Sequence, residues 1–132
     1  MPSDVILRKI NSIQNCLQRI HDVTGEHPDA LDDINVQDIT VLNLQRAVQL
    51  CIDIAGYIIT QQNLGLPTTL KDSFLILQKN NLISKTLADK MCKMVGFRNI
   101  ATHEYQALNI DILKSIIREH LKDFEEFYTA IL

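Results

Sequence analysis

Apolar residues recur three and four positions apart through most of the chain, the spacing that lays one stripe along a helix. Between Asp4 and Thr24 the stripe runs through Ile6, Ile10, Ile13, Leu17 and Ile20, with Ser3 placed to cap its start and Gly25 and Pro28 to end it. A second stretch, from about Val36 to Asn63, is apolar around more of its circumference (Ile39, Leu42, Val48, Cys51, Ile52, Ala55, Ile58, Ile59), which predicts a central helix touching several neighbours. Asn35 is its expected cap and Gly65-Leu66-Pro67 its stop. Gly56 inside it costs roughly 1 kcal/mol against Ala, a cost that a close helix approach would explain. Thr69 and Asp72 form a capping pair ahead of Phe74, Leu75 and Leu77. Asn80-Asn81 then breaks the pattern, and Ser84 restarts it through Leu87, Met91, Met94 and Val95, with Gly96 as the expected C-cap. Asn109 opens a last helix striped by Leu113, Ile117, Leu121, Phe124, Tyr128 and Ile131. Four to five helices with short connections predict an all-α, up-and-down bundle, with residues 1–132 as a single domain.

Composition narrows the class. Apolar residues make up 46% of the 132 and charged residues 22%, the balance of a soluble globular domain. Four Gly and three Pro are too few for the turns of an all-β fold. No apolar run has the length of a signal-peptide core or a membrane span, so a cytoplasmic protein with no membrane partner is expected. Cys16, Cys51 and Cys92 are odd in number and lack a CxxC spacing, which predicts buried free thiols with no chemical role. The net charge of −3 is unevenly placed. Residues 22–38 carry six acids (Asp22, Glu26, Asp29, Asp32, Asp33, Asp38) and no Lys or Arg, and read as an acidic loop that repels RNA. Residues 71–98 carry Lys71, Lys79, Lys85, Lys90, Lys93 and Arg98 against Asp72 and Asp89, so a polyanion would bind there.

The stripe is interrupted after Gly96, where Arg98, Asn99, Thr102, His103 and Tyr105 gather within eight residues. On a continuous helix Arg98 and His103 would lie about 140° apart and would not share a face. They can serve one site only if the helix ends between them or if two chains contribute. Taken alone, one Arg and one His fit a solvated helix end as well as they fit a site. The string Arg98-Asn99, four residues between Arg98 and His103, Tyr105 one residue beyond, and the preceding Lys93 to Phe97 together resemble the HEPN superfamily, most closely HepT-type toxins. The likeness extends along almost the whole chain: the isoleucine-rich first helix, the long apolar second helix, the turn at Gly65 to Pro67 with Asp72 and Phe74 after it, and the amphipathic last helix stand in that family's order.

The resemblance implies a helical bundle that forms a homodimer and acts as a metal-independent endoribonuclease toxin in a prokaryotic cytoplasm. It also implies a cognate MNT-type nucleotidyltransferase antitoxin that adds AMP to Tyr105. The residue chemistry agrees. Histidine is the residue type suited to general acid or base work near neutral pH, which makes His103 the candidate, and Arg98 offers a permanent planar cation for phosphate oxygens. One His cannot easily do both jobs, so a composite site holding a second Arg98 and His103 across the dimer is expected. Asn99, Thr102 and Lys93 are secondary candidates for contact with RNA, although Asn and Thr more often cap helix ends and the lysines from Lys79 to Lys93 fit a solvated face. His103-Glu104 does not extend to HExxH, since position 107 is Ala107, and neither GxGxxG nor a P-loop occurs. No metal and no cofactor are expected. The rival reading is a non-catalytic HEPN-type module that binds a nucleotide or scaffolds its nucleotidyltransferase, and a His103 packed into the core would favour it.

Overall fold

The computed structural model describes residues 3–25, 27–105 and 108–132. Among them there are helices and no strands: α1 (Asp4–Thr24), a 3-10 turn (Pro28–Asp32), α2 (Ile34–Gln61), α3 (Leu70–Lys79), α4 (Lys85–His103) and α5 (Ile110–Ser115). From α5 the chain continues through a π-helical turn (Ile116–His120) into α6 (Leu121–Ile131). The helix starts follow side-chain capping. Ser3 Oγ accepts from the Ile6 amide at 3.2 Å, Thr69 from Asp72 at 3.1 Å and Ser84 from Leu87 at 3.1 Å. Gly25 ends α1 with φ 57°, a left-handed conformation that favours glycine, and its N–H donates to the His21 carbonyl at 2.8 Å.

Helix α2 is central, as its broad apolar surface predicts. It packs along α1 and against α3, α4 and α6, while α4 and α6 also meet and α6 returns to α1. The core is filled by residues such as Ile13, Ile20, Leu44, Ile54, Phe74, Leu77, Met91 and Phe124, and Phe74 meets Phe127 edge to face at 5.4 Å. No helix of the described residues is long and apolar enough to cross a membrane.

Several expectations are corrected. Helix α2 is capped by Asp33, whose carboxylate accepts from the Asn35 amide at 2.8 Å, so Asn35 lies inside the helix. The acidic stretch is only partly a loop: Asp22 belongs to α1, Asp38 to α2, and the 3-10 turn between them buries Leu31. Lys114 of α5 pairs with Asp32 at 2.9 Å and Asp29 at 3.7 Å, anchoring that turn. Gly96 does not end α4, because the helix gains the burial of Phe97 and Ala101 by continuing to His103. At Gly56 an added Cβ would meet nothing within 4 Å, so no close helix approach explains it. Cys16 and Cys51 are buried but Cys92 only half-buried, and burial raises all three thiol pKa values, against thiolate chemistry.

Candidate functional site

The C-terminal half of α4 runs antiparallel to the N-terminal half of α2, and the seam between them is polar. Arg98 is half-buried, with Nη2 donating to Gln49 Oε1 at 3.0 Å and Nη1 to Asn99 Oδ1 at 3.2 Å. One turn on, Thr102 Oγ1 accepts from Gln45 Nε2 at 3.3 Å. Just past the helix end, the Tyr105 hydroxyl donates to Asp38 Oδ1. Behind Gln49 the chain of contacts continues: its Nε2 donates to Asp53 Oδ1 at 2.9 Å, and Asp53 lies 3.8 Å from Lys9 of α1.

The electrostatics of this seam are specific. Arg98 is fixed by two neutral amide oxygens and, among the described residues, makes no ion pair. Its direction is therefore set while its charge stays available, which suits a guanidinium meant for a phosphate. Tyr105 is 42% exposed, and its phenol is pushed up to about 12 by the hydrogen bond to Asp38, then by desolvation and by the charge of Asp38.

His103 is the last residue of α4 and is exposed, not packed into the core. Helix α4 is unbroken from Arg98 to His103, so within one chain the two side chains diverge by about 140°. Lys93 is not brought to the seam; with Lys90, His120 and Asp123 it lines a cavity of about 470 Å³ between α4 and the segment running from α5 through the π-helical turn into α6. Asp38, Gln45 and Gln49 were not singled out by sequence reasoning as site residues. Their signal is a polar stripe, spaced by seven and four, on an otherwise apolar helix. Among the described residues no group of three or more His, Cys, Asp or Glu side chains could hold a metal ion.

The family described as "Ribonuclease HepT-like" matches residues 13–131. The chain belongs to the HepT-like ribonuclease family. It is 47% identical over 129 residues to the mRNA nuclease HepT of Shewanella oneidensis, covering 98% of this chain and 97% of that protein. A solved structure of a tri-AMPylated Shewanella oneidensis HEPN toxin in complex with MNT antitoxin superposes with a TM-score of 0.93 at 47% identity, over 98% of both chains. A toxin–antitoxin crystal structure with AMP-PNP matches with a TM-score of 0.93 at 46% identity, again over 98% of both chains. The HepT-like assignment and the all-α HEPN bundle expected from the sequence both hold.

Proposed function

We propose that this HepT-like protein is a metal-independent endoribonuclease toxin whose site is completed by a second copy of the chain, with Arg98 and His103 as its catalytic residues. The observation that carries the proposal is the combination on α4 of a positioned Arg98, without an ion pair among the described residues, and an exposed His103. Because α4 does not end between them, a two-fold partner is the remaining way to place both types of group around one phosphate. Ile39, Leu42 and Ile100, large apolar side chains exposed on α2 and α4, supply a face for that partner.

In the proposed reaction one His103 takes the proton of a ribose 2′-OH, and the oxygen attacks the adjacent phosphorus. The Arg98 guanidinia stabilise the charge that builds on the non-bridging oxygens. The second His103 protonates the departing 5′-oxygen. The products are a 2′,3′-cyclic phosphate and a 5′-hydroxyl, and an all-DNA strand, lacking the nucleophile, is not cleaved. Asn99 holds Arg98, and Thr102 lines the same seam, so Asn99 is a positioning residue and Thr102 a candidate contact for the strand.

Control comes from an MNT-type nucleotidyltransferase, which adds AMP to Tyr105. The relative named above is AMPylated in complex with its MNT antitoxin, and Tyr105 stands exposed at the end of the seam that holds Arg98. A phosphodiester and nucleoside attached there compete with RNA for the cation and for space. The test is RNA cleavage in excess EDTA, with His103→Ala as control and intact mass measured on the same sample. Cleavage lost in His103→Ala supports the proposal. No cleavage by protein of unmodified mass supports the scaffold module instead.

A further inference from the structure

The Tyr105 hydroxyl donates its hydrogen bond to Asp38, a carboxylate of α2 far away in sequence, and both side chains are exposed. We propose that Asp38 is the general base for AMP transfer to Tyr105, so that this chain supplies part of the chemistry of its own modification. The inference rests on Tyr105 being the AMP acceptor.

A phenol attacks phosphorus poorly while it keeps its proton. Two routes exist: the proton leaves beforehand, giving a phenolate, or it leaves as the new bond forms. The pKa of about 12 disfavours the first, because the negative Asp38 makes a free phenolate beside it rare at neutral pH. The second needs an acceptor already in hydrogen-bond contact with the phenolic O–H, and Asp38 Oδ1 is in that position. In the step, Tyr105 Oη bonds to the α-phosphorus of a nucleoside triphosphate. The bond from that phosphorus to the oxygen bridging to the β-phosphate breaks, and pyrophosphate leaves. The phenolic proton passes to Asp38 Oδ1 and from there to water, which restores the carboxylate. Asp38 also explains why this tyrosine is suited to react: its oxygen lone pairs are left free while its proton is committed to Asp38.

The experiment follows AMP incorporation by intact mass, using the full chain with its nucleotidyltransferase and ATP at saturating concentrations, for wild type, Tyr105→Phe, Asp38→Asn and Asp38→Glu. Asn keeps an acceptor oxygen of the same shape but cannot take the proton. Asp38→Asn is expected to slow the first addition by about 10- to 100-fold, with Asp38→Glu recovering most of the rate. Any later addition in the mass ladder no longer uses the Tyr105 phenol, so it is expected at the wild-type rate. Asp38→Asn modified as fast as wild type, or faster, overturns the proposal. So does an equal slowing of every addition without rescue by Glu, which would mark Asp38 as a docking contact. An unmodified wild type, or a modified Tyr105→Phe, overturns the reading of Tyr105 itself and is distinguishable from both.

Discussion

Two cations of α4, about two turns apart, stand in different electrostatic surroundings. Lys90 lies between two carboxylates, Glu126 at 3.3 Å and the buried Asp123 at 3.7 Å, and ties α4 to α6. Arg98 meets, among the described residues, the amide oxygens of Gln49 and Asn99 and no carboxylate. The first charge is paired within the fold, the second is aimed by the fold and, on the proposed function, meets the RNA phosphate. A basic stretch in a sequence therefore says little about anion binding until its partners are known, because a lysine held by two acids has little field to offer.

The contrast can be broken at each end. Arg98→Ala and His103→Ala are each expected to lower RNA cleavage by about 100-fold or more, whereas Lys90→Ala lowers the melting temperature and leaves cleavage within about twofold. Rates on one RNA, alongside thermal melts, check this. A smaller but more pointed effect is expected at Gln49. Gln49→Glu gives Arg98 a charged partner like that of Lys90 and should reduce cleavage about 10-fold, more than Gln49→Ala, which removes only the positioning contact. Equal rates for the two variants would show that the neutrality of Gln49 is irrelevant.

The smallest effect is spectroscopic. Since the Tyr105 phenol is raised to about 12 from an ordinary value near 10, its tie to Asp38 contributes stability below about pH 10 that is lost as pH rises through about 12. An ultraviolet titration of wild type should show a late tyrosinate transition that moves toward pH 10 in Asp38→Asn. A transition unmoved by the substitution would place the hydrogen bond elsewhere.

Much of the bundle was legible because helix ends are written in local chemistry. Ser3, Thr69 and Ser84 cap where their oxygens can reach a free amide, and Gly25 closes α1 with a positive φ. Gly96 misled because a glycine stops a helix only when nothing beyond it is worth burying, and Phe97 and Ala101 are buried. The π-helical turn at Ile116–His120 left no mark, since the apolar stripe runs through it at nearly helical spacing. The Arg98, His103 and Tyr105 cluster stood out against the stripes, but its partners on α2 did not. Asp38 looked like one more acid of a loop, and Gln45 and Gln49 acquire meaning only when α4 is laid antiparallel against them.

The composite cleft is tested most directly by mixing wild-type and His103→Ala chains, allowing subunits to exchange, and measuring cleavage as a function of the wild-type fraction. If both His103 side chains serve one cleft, only wild-type pairs are active and an equal mixture retains about a quarter of the wild-type rate. A linear decline, with about half the rate at an equal mixture, would show that each chain cleaves with its own histidine and would contradict a shared site.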